Sequence, residues 1–390
     1  MLQLIANARV FAPEDLGVRH LLVGGGRFLS VVNDPDDISA PGLRVTDLDG
    51  RRLIPGFIDG HAHITGGGGE SGFSSRVPPV PLSRFTSAGV TSVVGVLGAD
   101  DTTRDTKSVV AQARAMREEG LSAWCHTGGY HVPPTTLTGS VRDDIVFIDP
   151  IIGVGEIAIC DHRSSHPTVD ELLRIASDAH VAGMITGKAG ILHLHLGDGD
   201  DGLALVRGAM ADGEVPARTY NPTHINRSKR IFDEAIALAG DGCTVDITAY
   251  PVDEGDPGWS ADEALTRYLD SGAPDRNVTV SSDGGGCLPE FNEDGEVTKM
   301  DIGSPHCLAQ TLKALLDADA DLDRVLPAFT SNVANVLRLT DKGSIGPGFA
   351  ADCLVLDDAH GISDVMVNGV WHVAGGEQKV FGRFEDGGRD

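Results

Sequence analysis

The stretch PGFIDGHAH, residues 55–63, predicts a short buried strand that ends in two histidines. Side chains alternate along a strand, so His61 and His63 point to the same side. Seven further apolar runs follow, and most of them precede a segment with helical spacing of apolar residues. The eight runs are Gly56–His63, Thr91–Leu97, Ser122–Thr127, Gly153–Ile159, Ile191–Leu196, Ala217–Ile225, Thr244–Ala249 and Val278–Asp283.

The spacing of these runs predicts the fold. His61 and Asp283 lie 222 residues apart, and over seven units this is close to the roughly 30 residues of one βα unit. Eight apolar strands with helical crossovers indicate an α/β fold, a (β/α)₈ TIM barrel, over residues 56–340. A doubly wound parallel sheet is the alternative.

Both ends of the chain contain short strand-like runs. Gly24–Gly26 provides a hairpin turn near the start, and Asn368-Gly369 provides one near the end. We therefore expect residues 1–55 and 341–390 to form a small β-sandwich domain together.

Charge and cysteine content exclude several classes of protein. The chain of 390 residues has 31 Lys+Arg and 57 Asp+Glu, a net charge of −26. This acidity argues against a nucleic-acid binder and against docking on an anionic membrane. No apolar window is long enough to span a membrane. The six cysteines form no CxxC pair, which favours free thiols and a cytoplasmic protein.

Polar residues close several of the predicted barrel strands. His195 ends the fifth run, His224 ends the sixth and Asp283 ends the eighth. Imidazole and carboxylate groups are ligands for Zn²⁺ and similar divalent metals. Because burying so many titratable groups at one rim is costly without a cation, we expect a metal site there.

Several longer motifs resemble the amidohydrolase superfamily and, within it, the bacterial isoaspartyl (β-aspartyl) dipeptidases. They are GGGGE (66–70), YHVP (130–133), DHRS (161–164), PTHINR (222–227) and SSDG (281–284). The resemblance spans essentially the whole chain. It implies a homo-oligomeric metalloprotease that acts on small dipeptides.

The resemblance also implies a site with two Zn²⁺ ions. His61, His63 and Asp283 would hold one metal, and His195 and His224 the other. A metal-bridged hydroxide would attack the side-chain amide of a β-aspartyl dipeptide, with Asp283 as general acid and base. Tyr130 would stabilise the oxyanion.

The fourth strand departs from this pattern. The dipeptidases typically place a carboxylated lysine there to bridge the metals, but GVGEIAIC (153–160) contains no lysine. Glu156 is the acid available as a bridge, on a shorter arm. Counting back from Asp161 aligns Glu156 with the family lysine, whereas counting forward from Gly153 aligns Gly155, which indicates a one-residue insertion. The direction of the Glu156 side chain is therefore open, and it could instead support a metal ligand or have no role.

Substrate contacts are expected from charged groups near the strand ends. The run Gly66–Gly69 would form an anion-binding nest centred on Gly68, and Glu70 would bind the substrate α-ammonium. Arg163 and Arg227 would hold the carboxylate of the leaving residue. Two positions differ from the family pattern: Ala99 replaces a hydroxyl residue and Cys287 replaces a serine, which would loosen contacts to the aspartyl end.

Two other functions remain open at this point. One is an N-acyl amino acid deacylase or cyclic-amide hydrolase of the same superfamily. The other is a non-catalytic homologue that lost activity with the lysine. His193, two residues before His195 and deeper in the barrel, is the reserve metal ligand.

Overall fold

The N-terminal segment of the chain is a sheet. The computed structural model describes residues 2–253, 255–292 and 294–385. Within them, the first strands are β1 (Leu2–Phe11), β2 (Asp15–Gly24), β3 (Arg27–Val32), β4 (Arg44–Asp47) and β5 (Arg52–Pro55). Gly25 and Gly26 form the turn between β2 and β3 at φ of 61° and 79°, which glycine adopts without strain.

A ring of parallel strands follows. Among the described residues it comprises eight strands: β6 (Phe57–Ala62), β7 (Val90–Gly95), β8 (Ser122–Thr127), β9 (Ile151–Ile159), β10 (Leu192–Leu196), β11 (Tyr220–Thr223), β12 (Val245–Thr248) and β13 (Val278–Ser281). Strands β6 to β11 pair in chain order, and β12 pairs with β13. The ring closes where Asp283 N donates to His61 O (3.1 Å) and His63 N donates to Gly284 O (2.8 Å). The predicted barrel is confirmed.

Helices pack around the ring. They are α1 (Leu82–Thr86), α2 (Thr106–Glu118), α3 (Val141–Phe147), α4 (Val169–Thr186), α5 (Ala204–Asp212), α6 (Lys229–Gly240), α7 (Ala261–Asp270), α8 (His306–Asp317), α9 (Leu322–Val325) and α10 (Ser331–Leu337). The sequence fixes both ends of α4, because Thr168 and Glu171 form a capping box and Gly187 terminates the helix at φ 76°. No helix of the described ranges is long and apolar enough to cross a membrane.

The C-terminal strands return to the first sheet. A hairpin that the sequence did not predict, β14 (Cys287–Phe291) and β15 (Val297–Ile302), follows β13, and the chain then forms β16 (Cys353–Leu356), β17 (Ile362–Val367), β18 (Val370–Ala374) and β19 (Glu377–Gln378). β16 pairs with β5, and Phe28 N donates to Phe349 O at 3.0 Å.

The terminal strands enclose a core of their own that includes Ile5, Leu21 and Val355. The expected small sheet domain from both termini is therefore present. The domain limits at residues 55 and 341 stay a prediction.

Candidate metal centre

Five of the six expected metal ligands lie at strand ends, where parallel barrels place their active sites. His61 lies near the end of β6 and His63 follows it, His195 lies near the end of β10, His224 follows β11, and Asp283 lies two residues beyond β13. His224 and Asp283 have positive φ angles of 62° and 51°. Such backbone strain in non-glycine residues is concentrated at functional sites.

Glu156, the sixth residue, lies inside β9 at a β-bulge. Val154 pairs with Leu192 and Ile157 pairs with Leu194, so β9 contains one residue more than β10 over this interval. Gly155 makes the bulge possible, because a Cβ at that position would lie 2.3 Å from His193 O. The bulge lies where the sequence indicates a one-residue insertion, which stays a prediction, and the Glu156 side chain is fully buried in the barrel.

The carboxylate of Glu156 lies between two pairs of histidines. Its Oε1 lies 3.3 Å from His63 Nε2 and 3.7 Å from His61 Nε2. Its Oε2 lies 3.1 Å from His195 Nδ1 and 3.5 Å from His224 Nε2. Glu156 is therefore shared by two candidate ligand groups, and within each group the donor atoms lie within 4.8 Å of one another.

Asp283 lies on the His61 and His63 side of the same cluster. Its Oδ1 is 3.1 Å from His63 Nε2 and 3.5 Å from His61 Nε2. A Cβ on Gly286 would lie 2.1 Å from this oxygen, so only glycine leaves room for it. Asp283 also forms a third candidate ligand group with His61 and His224.

The converging atoms fit a cation. Within the described residues, His61 Nε2, Glu156 Oε1 and Asp283 Oδ1 are buried and have no hydrogen-bond partner of acceptable geometry. Each unsatisfied buried group costs about 1–3 kcal/mol. Two carboxylates and several imidazoles are the ligand types that divalent metals such as Zn²⁺ accept, and a bound metal would satisfy these atoms together.

The electrostatics of the cluster also favour positive charge. Burial alone would raise the pKa of Glu156, but His61 and hydrogen bonds from His195 hold it well below its usual range. Burial opposes protonation of His63, yet Asp283 and Glu156 raise its pKa to about 10. The buried carboxylates are therefore ionised and attract a cation.

Tyr130 and Arg163 surround His195 on its outer side. The Tyr130 hydroxyl lies 2.8 Å from His195 Nδ1, and burial raises the pKa of Tyr130 well above its usual range. Arg163 Nη2 lies 3.2 Å from His195 Nε2, and Arg163 bonds both oxygens of Asp161 at 2.7–3.0 Å. Its guanidinium lies 5.4 Å from the ring centroids of both Tyr130 and Phe291.

Glu70 and Arg227 complete the charged rim. Glu70 Oε1 lies 3.4 Å from Arg163 Nη1, whereas Glu70 Oε2 is buried without a partner among the described residues. Arg227 Nη1 lies 3.2 Å from Leu196 O and 3.4 Å from His195 Nε2. Arg163 and Arg227 thus both lie beside His195, and Glu70 lies beside Arg163. Their roles in substrate binding stay predictions.

The expected glycine nest is smaller than predicted. Gly66 N donates to His63 O and Gly67 N donates to Gly285 O, both at 2.8 Å. Because these two amides are already used, the run does not offer several free donors. Gly68, at φ 79°, stays the candidate of this segment.

The two departures from the family pattern lie on either side of this loop. Ala99 and Glu70 line one pocket of 230 Å³ together with Phe73. Cys287 begins β14, and burial raises the pKa of its thiol to about 12. A larger cavity of 590 Å³ lies outside the barrel between α7 and α8, and its lining includes none of the candidate metal ligands.

Sequence reasoning assigned no role to two residues that contact the histidines. Asp161 Oδ2 lies 3.1 Å from His195 Nε2, and Thr248 Oγ1 lies 2.7 Å from His224 Nδ1. Both had a signal in the sequence: Asp161 begins the DHRS motif, and Thr248 closes a strand of the barrel with a polar side chain.

Residues 52–372 match the Amidohydrolase family over most of the chain. The chain belongs to the Amidohydrolase family. A β-aspartyl dipeptidase from Fervidobacterium islandicum AW-1, solved with β-Asp-Leu dipeptide, is similar at 39% identity and a TM-score of 0.91, covering 97% of this chain and 99% of that one. The family and this neighbour confirm that this amidohydrolase is a hydrolase acting on amide bonds.

More distant relatives carry other names. An imidazolonepropionase from Streptomyces griseus is 24% identical over 335 residues, covering 80% of this amidohydrolase and 79% of the relative. A dihydropyrimidinase from Brevibacillus agri has a TM-score of 0.67 at 17% identity, covering 98% and 97% of the two chains. At that identity the similarity shows the shared fold alone.

Proposed function

We propose that this amidohydrolase hydrolyses the side-chain amide bond of β-aspartyl dipeptides and uses two Zn²⁺ ions. The observation that carries the proposal is the buried Glu156 carboxylate, which faces both pairs of histidines. The similarity to a dipeptidase solved with β-Asp-Leu supports the substrate class. The oligomeric state and the cytoplasmic location stay predictions.

His61, His63 and Asp283 would hold one ion, His195 and His224 the other, with Glu156 between them. Bound divalent metals lower the pKa of a water molecule and polarise the amide carbonyl. Each side of the cluster contains imidazole nitrogens and a carboxylate, which are suitable ligands for zinc.

Asp283 is placed to move the proton. Burial alone would raise its pKa, but the rings of His61 and His63 hold the pKa of Asp283 well below its usual range. Asp283 is therefore ionised at neutral pH. In the proposed mechanism it would accept a proton from the attacking water and donate it to the leaving amine.

Tyr130 supplies a hydrogen-bond donor for the oxyanion. Its hydroxyl stays protonated at neutral pH because burial raises the Tyr130 pKa. It lies beside His195, within the ligand cluster. A donor that meets the charge developing in the transition state is the arrangement that lowers the barrier to amide hydrolysis.

Charged groups at the rim suit a zwitterionic dipeptide. Glu70 Oε2, which has no partner within the described residues, would accept the substrate α-ammonium. The Gly68 amide would contact the aspartyl carboxylate, and Arg163 and Arg227 would hold the carboxylate of the leaving residue. Cys287 offers only a weakly polar thiol beside this end. We therefore expect selectivity at the aspartyl end to be weaker than at the leaving residue.

A cyclic-amide hydrolase is the second candidate, favoured by the similarity to proteins named imidazolonepropionase. The charged rim argues for the dipeptide instead, because a neutral ring would leave Glu70 Oε2 buried without a partner among the described residues. The N-acyl amino acid deacylase would use the arginines but leave Glu70 unused. A non-catalytic homologue would have no need for the buried ligand cluster.

The test is turnover of β-Asp-Leu by the zinc-loaded protein. Comparison substrates are α-Asp-Leu, β-Ala-Leu (which lacks the aspartyl carboxylate), N-acetyl-Leu and dihydrouracil. We expect β-Asp-Leu to be cleaved fastest and the Asp283→Asn variant to lose activity. Faster turnover of dihydrouracil or N-acetyl-Leu would replace the proposal by the corresponding alternative, and no turnover with full metal loading would favour the non-catalytic homologue.

A further inference from the structure

A chain of buried polar side chains continues from His61 into the barrel. His61 Nδ1 lies 2.7 Å from His193 Nε2, and His193 Nδ1 lies 2.7 Å from Asn221 Oδ1. Asn221 Nδ2 donates to the main-chain oxygen and to the hydroxyl of Thr244, both at 3.2 Å. His61, His193 and Asn221 are each at most 4% exposed, so solvent does not compete for these bonds.

The chemistry of the last link sets the direction of the others. Thr244 O only accepts, so the Asn221 amide must turn its NH₂ group toward it and its oxygen toward His193. That oxygen also only accepts, so His193 Nδ1 carries a proton. Within the described residues no carboxylate contacts His193, and its ring lies 5.0 Å and 5.5 Å from the rings of His61 and His126. These surroundings favour a neutral His193.

A neutral His193 with its proton on Nδ1 has a lone pair on Nε2. His61 Nδ1 must then donate to it, so in a neutral His61 ring Nε2 is the nitrogen with the lone pair. That nitrogen faces Glu156 and Asp283 and has no hydrogen-bond partner within the described residues. It is therefore the free nitrogen that a metal ion requires.

We propose that His193 and Asn221 are positioning residues, which hold His61 in the tautomer and orientation that bind metal. The inference rests on the proposed metal-dependent function, but it does not depend on the substrate. His193, which the sequence analysis considered as an alternative metal ligand, then has a different role: it bonds the ring nitrogen of His61 that does not face the ligand cluster. Residues that orient a metal-binding histidine typically change metal affinity by about 10- to 100-fold when they are replaced.

The first test is the tautomer of His61 in the wild-type protein. Histidine labelled with ¹⁵N in the zinc-loaded protein shows by NMR which ring nitrogen carries the proton and which binds the metal. We expect His61 and His193 both to be protonated on Nδ1. A His61 ring protonated on Nε2 alone would overturn the proposal, whatever the variants do.

The second test is zinc affinity, measured by competition with a chelator. We expect His193→Leu and Asn221→Leu to weaken zinc binding by about 10- to 100-fold, because each removes the acceptor of a link. His193→Gln can accept from His61 and donate to Asn221, so it should stay within about threefold of wild type.

The matched control is Asn332→Leu, since the Asn332 amide is also buried and donates to Asp275 O and Val278 O, away from the ligand cluster. Asn332→Leu should lower Tm and leave zinc affinity unchanged. Wild-type affinity in His193→Leu, or equal losses in His193→Leu and Asn332→Leu, would overturn the proposal. Failure of β-Asp-Leu turnover alone would leave it intact.

Discussion

The sharpest prediction concerns the charge of Glu156. Glu156→Gln keeps the shape of the side chain and removes the negative charge shared by His61 and His63 on one side and His195 and His224 on the other. Because Glu156 belongs to a candidate ligand group with each pair of histidines, the substitution should weaken metal binding on both sides. A role confined to one ion would weaken only one site.

The geometry sets the size of the effect. The carboxylate oxygens of Glu156 lie 3.1–3.7 Å from the four ring nitrogens. A charge pair separated by about 4 Å at an effective dielectric constant of about 20 contributes about 4 kcal/mol. At 1.4 kcal/mol per tenfold, we expect roughly a 1,000-fold increase in Kd for zinc.

The assay is metal content after gel filtration, followed by chelator competition and turnover of β-Asp-Leu. Asp144→Asn is the matched control, because Asp144 is a fully buried carboxylate that accepts hydrogen bonds from Leu137 N and Thr138 N away from the cluster. It should lower Tm and retain metal. A Glu156→Gln protein that keeps two tightly bound ions and the full rate would refute the bridging role.

Three further predictions concern pH, a buried ion pair and substrate affinity. Burial lowers the pKa of His372 to about 4, below the roughly 6.5 of an unfolded chain. The folded protein therefore loses stability as pH falls from 6.5. Urea unfolding should show that wild type loses about 2 kcal/mol more than His372→Leu between pH 7 and pH 5. Lys342→Met removes the ammonium group that lies 2.6 Å from the buried Asp352 carboxylate and should destabilise the fold by about 3–5 kcal/mol. Adding Asp352→Asn should partly restore Tm. Phe291→Ala removes one face of the contact around Arg163 and should raise KM for β-Asp-Leu about two- to fivefold with little change in kcat; an unchanged KM would show that Phe291 does not position Arg163.

The barrel was predictable because its signal is local and repeated. Each strand is a short apolar run, and each predicted run overlaps an observed strand, as Ser122–Thr127 does over its full length. The hairpin Cys287–Phe291 with Val297–Ile302 was not predictable in this way. Its residues are mostly exposed or half-buried, so no alternation of apolar and polar residues marks them.

The same difference between local and long-range signals applies to the residues of the candidate site. Residues that close strands, such as His224 and Asp283, were identifiable because a polar side chain after an apolar run is conspicuous. The links from His61 to His193 and Asn221 were not, since they join side chains 132 and 28 residues apart in the chain. The register of β10 and β11 places His193 opposite Asn221, whereas β6 and β10 are not neighbours in the sheet, so closure of the barrel brings His61 to His193.

Glu156 shows why one position could not be settled from the sequence. A glutamate has a shorter arm than the carboxylated lysine expected from the family pattern, so either the strand or the ligands must move. β9 contains one residue more than β10 between Val154 and Ile157, and the absence of a side chain at Gly155 lets its backbone approach His193 O closely. A bulge changes which residues of a strand face inward, and its position depends on the neighbouring strand. In this chain the bulge and the buried Glu156 together put a carboxylate between the two pairs of histidines.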